Sequence, residues 1–154
     1  MGQLMDNQIE PLSATEYNII EEALWKLVRQ YPRQEDDPDV KAEYDALDTN
    51  KSLAVFVLGG RYKSRNVLGE FTAEINFRVA YKSNPTTSNL RIDAQAYVGR
   101  IMRWLENTRD LPLLTDGRVI TKITASGAVP YKDETGQDKS TVYAADAVME
   151  YESE

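Results

Sequence analysis

The chain contains no cysteine and no histidine. Without cysteine, disulfides and thiolate metal sites are excluded. Without histidine, the Ser-His-Asp and Cys-His nucleophile systems, the usual zinc ligand sets and the commonest general base near neutral pH go too. Long apolar runs are also missing: the longest, Leu53 to Leu58, falls far short of the roughly 20 residues a membrane-spanning helix needs. The opening MGQLMDNQIEPLSATEY lacks the basic-then-apolar plan of a secretory signal, so a soluble protein made in a cytoplasm is the expectation. Positive charge is in short supply, with 18 Lys and Arg against 25 Asp and Glu and a net charge of −7. Residues 33–50 alone hold seven acids against Arg33 and Lys41, a charge of −5 that leaves −2 for the rest. Such a chain lacks the basic footprint that grips phosphates, yet it suits the wall of a channel through which DNA slides without sticking.

What is present suffices for one ordinary domain over residues 1–154. With 42% hydrophobic residues in 154, folding can remove roughly 70% of the unfolded chain's surface from water. A flexible arm over 1–12 and an acidic tail over 152–154 are expected to flank it. In LSATEYNIIEEALWKLVRQYP, Ser13 and Glu16 have the spacing at which each side chain caps the other's backbone amide. Tyr17, Ile20, Leu24, Leu27, Val28 and Tyr31 then recur at helical period until Pro32, which predicts a helix over about 14–31. Within the acidic segment, Asp37 as cap, Pro38 at the first turn, and Val40, Tyr44 and Leu47 at helical spacing predict a short solvated helix.

KSLAVFVLGG reads as a buried strand ended by Gly59 and Gly60. GEFTAEINFRVAYKS alternates Phe71, Ala73, Ile75, Phe77, Val79 and Tyr81 with polar residues, so one face of that strand packs and the other meets solvent or a partner. LRIDAQAYVGRIMRWLENT returns to helical period, and Gly99 inside it suggests close backbone packing. After an Asp116-Gly117 turn come RVITKITAS and a last strand through Thr141, Tyr143, Ala145, Ala147, Met149 and Tyr151. The order α-(α)-β-β-α-β-β predicts an α+β fold: a mostly antiparallel four-stranded sheet with two long helices on one face.

No stretch carries a convincing catalytic or metal motif, and no cofactor is implied. KDETGQDK places Asp133, Glu134 and Asp138 around Gly136, but the calcium-loop spacing fails after Asp133, and a polar hairpin tip accounts for the same residues. GGRYKSRNVLG is not a phosphate loop, which needs four residues between its first glycine and a Gly-Lys-Ser/Thr end, whereas Gly60 is followed by Arg61-Tyr62-Lys63. It reads as a connection between strands whose Arg61, Lys63 and Arg65 stand out in an acidic protein and can reach an acidic surface on a neighbouring subunit. Glu70 and Glu74, four strand residues apart, sit about 13 Å from each other, beyond the roughly 5 to 9.5 Å that paired-carboxylate glycoside hydrolysis uses. Trp25 lies off the main stripe of its helix and Trp104 beside that of the other; exposure of either is an interface signal, and a wider buried face is the alternative.

A capped first helix, a strand pair ending in FTAEINFRVAYKS, a second amphipathic helix and a closing PYKDETGQDKSTVYAADAVMEYES together resemble the minor capsid and tail-terminator proteins of tailed bacteriophages. In the closing tract the likeness rests on Pro130, Asp133, Glu134, Gly136 and Tyr143 ahead of a strand ending at Tyr151, and the layout covers residues 14–151. The resemblance implies a non-enzymatic virion part, assembled in the host cytoplasm. Such proteins form rings, commonly of six copies, that cap the tail tube, stop its growth and dock to the head connector; tail completion and head-tail joining are neighbouring descriptions. No catalytic residue carries over. Arg61, Lys63, Arg65, Asp133, Glu134, Asp138 and Trp25 are then the candidate assembly contacts. Two other readings of the residues stand beside this one: a soluble bacterial binding or adaptor module, and a Mg²⁺ enzyme using Asp133, Glu134 and Asp138.

Overall fold

A computed structural model describes residues 10–35, 37–38, 40–44, 52–84, 87–107, 117–132 and 141–153. Along the chain these form β1 (Glu10–Pro11), α1 (Ala14–Arg29), β2 (Lys41–Tyr44), β3 (Ser52–Arg65), β4 (Phe71–Ser83), α2 (Ser88–Asn107), β5 (Arg118–Ala125), β6 (Val129–Lys132) and β7 (Thr141–Ser153). The main sheet runs β1-β3-β4-β7-β5, antiparallel throughout. The class is α+β, as the element order implies.

The four long strands read from the sequence are β3, β4, β5 and β7, and three short ones join them. β6 pairs with β7 beyond the end of β5, so the two together line one edge of β7. β1 and β2 sit at opposite ends of the outer edge of β3. Strands of two to four residues show no measurable alternation of their own; they exist because β3 and β7 offer unpaired amides and carbonyls. The flexible arm expected over 1–12 is corrected at residues 10–12, where Glu10 and Pro11 are held by Tyr62 and Arg61 and Leu12 is buried in the core, while residues 1–9 lie outside the described residues. The acidic tail expected over 152–154 is corrected at Glu152 and Ser153, since β7 stays paired with β4 and β5 through Ser153; Glu154 lies outside the described residues.

The short helix expected around Asp37, Pro38, Val40, Tyr44 and Leu47 does not form among the described residues, because Lys41–Tyr44 run parallel to Ser52–Val55 instead; Leu47 lies outside the described residues. Asp37 does not cap a helix there. Its carboxylate accepts the Tyr31 hydroxyl and the Gln34 amide, both at 2.8 Å, while Arg33 donates to the Asp37 carbonyl at 2.8 Å. That turn commits the backbone carbonyls a helix start would need.

One core joins both helices to one face of the sheet. Ile20, Leu24, Leu27 and Val28 of α1 and Ala94, Tyr97, Val98, Ile101, Met102 and Leu105 of α2 meet the odd-numbered residues of β4 and β7. Phe77, Ile75 and Met149 at the sheet centre are fully buried, and each such side chain contributes roughly 1.5–3 kcal/mol. β3 keeps this pattern through irregularities. The extra residue Leu58 lets Val57 pair with Phe77 and Gly59 with Asn76, a shift that turns Gly60 and Tyr62 inward. Gly59 has φ 153°, which other residues rarely adopt, and a Cβ on Gly60 would lie 2.7 Å from Leu12 Cδ1. The two glycines therefore bend the strand within its length rather than ending it.

Candidate assembly surfaces

Arg61, Lys63 and Arg65 lie on β3, not in a loop, and each is paired within the chain. Arg61 Nε donates to Glu74 Oε1 at 2.6 Å, Lys63 pairs with Glu150, and Arg65 pairs with Glu10. The Arg65 guanidinium also lies 4.5 Å above the centre of the Tyr62 ring. Strand register places Arg61, Glu74, Glu150 and Lys122 in one row across β3, β4, β7 and β5. The carboxylate beside Glu74 is thus Glu150, whereas Glu70 precedes the strand. The hydrogen bond from Lys63 and its charge hold the Glu150 carboxyl below the ordinary carboxylate range. In a further row Arg78 grips Asp146 through Nε at 2.7 Å and Nη2 at 3.1 Å. The Ser126 amide donates to the Asp146 carbonyl at 2.8 Å and the Asp146 amide to Ser126 Oγ at 3.0 Å, pinning the corner where β5 passes into β6.

The tryptophans take the wider buried face rather than an exposed position. Trp25 is half-buried with Arg29 over its ring at 5.4 Å, and Trp104 is half-buried with Tyr31 edge-on at 5.7 Å. Asp133, Glu134 and Asp138, with Gly136, lie outside the described residues.

Two buried carboxylates fix the helices, one to the sheet and one to each other. Glu16 is 4% exposed; its Oε1 accepts Arg118 Nε at 2.7 Å and the Tyr151 hydroxyl at 2.9 Å, and its Oε2 meets Arg118 Nη2. Half of the expected capping box therefore forms. Ser13 Oγ accepts the Glu16 amide at 3.1 Å, but the Glu16 side chain turns to Arg118, and the Ser13 amide donates to the Tyr62 hydroxyl at 3.3 Å. A bidentate buried cation outcompetes a backbone amide for a carboxylate. Burial, then the bond to Glu16, drives the Tyr151 hydroxyl far above its usual range. Asp37 joins α1 to α2 through Arg100 Nε at 3.0 Å. Burial alone raises its carboxyl, but the Gln34 amide, the Arg100 guanidinium and the Tyr31 hydroxyl outweigh it and hold the pKa low. With most of their lone pairs committed within the fold, both groups position elements.

Apolar residues reach solvent elsewhere. Between β3 and β4, Val67 and Leu68 are 78% and 79% exposed. They do not hang on a loose loop: Asn66 Oδ1 accepts the Leu68 and Glu70 amides at 3.0 Å, the Asn66 amide donates to the Glu70 carbonyl, and Gly69 supplies φ 88°. The signal in the sequence is Asn-Val-Leu-Gly, turn residues around two aliphatic ones. A second such place is an open groove of about 520 Å³ between α2 and the β5–β6 corner, lined by Ile92, Gln95, Ala96, Gly99, Gly127 and Ala128. Gly99 is not packed against another element among the described residues: beyond its own helix backbone and chain neighbours, no atom comes within 4 Å of where its Cβ would stand. The expectation of close packing there is overturned, and the groove is what that glycine leaves open.

Among the described residues, no group of three or more acids could hold a metal ion, and no helix is long and apolar enough to cross a membrane. Compared with protein-family models and with curated protein sequences, the chain matches none.

Proposed function

We propose that this chain is a non-catalytic structural subunit of a tailed-phage or prophage virion, forming a ring that ends the tail tube and joins it to the head connector. The observation that carries the reading is the β3–β4 hairpin tip. A stiff turn that holds Val67 and Leu68 in water gains nothing in a monomer, while burial against a neighbour stabilises by roughly 1.5–3 kcal/mol per side chain. The net charge of −7 supports a lumen that DNA traverses without adhering. A count of six copies follows from the resemblance to tail terminators, as do the tail-tube and connector partners. The outer sheet face, on which Arg61, Lys63 and Arg78 are already paired with Glu74, Glu150 and Asp146, remains soluble until assembly.

Deleting the gene from the phage or prophage that carries it tests this. DNA-filled heads without tails, together with tubes of uncontrolled length, are expected under electron microscopy, and the intact chain supplied in trans restores joined particles. Normal numbers of infective tailed particles after deletion would overturn the reading.

A further inference from the structure

Resting on the ring reading, we infer that the subunits are joined head to tail: Val67 and Leu68 of one copy seat in the groove between α2 and the β5–β6 corner of the next. The groove is held open at a cost. A glycine inside a helix gives up about 1 kcal/mol relative to alanine, and nothing among the described residues uses the space at Gly99 or at Gly127. Ile92, 64% exposed, forms the apolar rim, and Gln95 donates to the Ala128 carbonyl at 3.0 Å, fixing the corner to the helix. At about 520 Å³ the groove exceeds what a valine and a leucine side chain together occupy.

The occupant is a second copy because knob and groove match in charge as well as in polarity. Glu70 follows the tip directly, and Arg103 lies one helical turn past Gly99, on the same face as Ile92 and Ala96. Both are exposed, and neither makes an ion pair among the described residues. The tip cannot fill its own groove. It extends past the sheet end formed by Phe71, Ser153 and Arg118, whereas the groove's corner is pinned to Asp146, seven residues back along β7 or about 23 Å, and across to the opposite edge. Two complementary but different patches on one rigid body give a heterologous contact, which closes into a ring when the rotation permits.

The cysteine-free chain makes a direct test available. Leu68→Cys and Ala96→Cys in one chain should yield, under mild oxidation, a ladder of covalent multimers up to ring size, while each single variant gives dimers at most. Gly99→Leu fills open space, so its melting temperature should not fall, yet association should weaken by about 100-fold, the equivalent of one or two lost apolar burials. Glu70→Arg and Arg103→Glu should each weaken association by about fivefold, and the two together should restore it. Gly99→Leu subunits that assemble like the wild type overturn the contact. So does a cross-link from position 68 to a tail-tube subunit in place of a second copy. Particles that depend on the protein but contain no 68–96 cross-link overturn the contact and leave the ring standing; normal particles without the gene overturn the ring itself.

Discussion

On the helix-covered side of the sheet, Glu16, Arg118 and Tyr151 exchange a charge and three hydrogen bonds at 4%, 9% and 1% exposure; on the far side, Arg61 and Glu74 make a bond of the same kind with side chains 45% and 17% exposed. The chemistry matches, but the solvent differs. In the dry site, taking both ions out of water consumes most of their attraction, so the intact knot adds little net stability while its rupture is expensive. In the wet site both desolvation and attraction are small, and the pair contributes about 1 kcal/mol or less. The inner knot therefore fixes where the start of α1 sits over β5 and β7, and the outer rows keep an uncovered face in solution.

Breaking the knot has the largest expected effect. Arg118→Met leaves Glu16 charged and unpaired in the core, and a loss of about 3–5 kcal/mol is expected from denaturant midpoints. Adding Glu16→Gln removes the stranded charge and should return much of that loss. Equal losses in the single and double variants would show that the two residues do not act as a unit.

Why this knot escapes a reading of the sequence is a matter of distance along the chain. Ser13 and Glu16 are three residues apart, so their capping relation is visible; Arg118 and Tyr151 stand 102 and 135 residues from Glu16, and a single sequence holds nothing that couples them. The same division runs through the fold. β4 and β7 are legible because burial of one face imposes a period of two on Phe71 to Tyr81 and on Tyr143 to Tyr151. β2 is illegible because Lys41–Tyr44 become a strand through Ser52–Val55, and Val40 and Tyr44 fit a helix equally well on spacing. At the candidate surfaces, the cations at 61, 63 and 65 are obvious, but their partners Glu74, Glu150 and Glu10 come from register and from a strand of two residues.

Asp37 stands between the two extremes, a 2% exposed carboxylate bound by an Arg100 whose side chain is 35% exposed. Its folded pKa lies below the unfolded value near 3.9. The stabilisation is therefore complete above that unfolded value and drains away as pH falls through the lower folded one. Asp37→Asn should cost about 2 kcal/mol at pH 7, from the charged hydrogen bonds it weakens. The gap between variant and wild type should close on acidification below about pH 4. Urea melts across that range decide the matter: parallel stability curves would mean that the ionised form has no special part in holding α1 to α2.

The smallest effect belongs to the outer face and is the most informative about assembly. A double-mutant cycle on Arg61→Ala and Glu74→Ala should give a coupling of about 0.2–1 kcal/mol in dilute buffer. In 1 M salt, where the screening length shrinks to about 3 Å, the coupling should nearly vanish. Those values hold for a face in contact with water. If a neighbouring subunit covers the Arg61, Glu74, Glu150 and Lys122 row, as the proposed ring allows, the same pair becomes a dry one, and its coupling should grow and lose its salt dependence when the cycle is repeated at concentrations where copies associate. A coupling that stays small and salt-sensitive in the assembled state would instead leave this face toward solvent, with the hairpin tip and the α2 groove as the surfaces that meet.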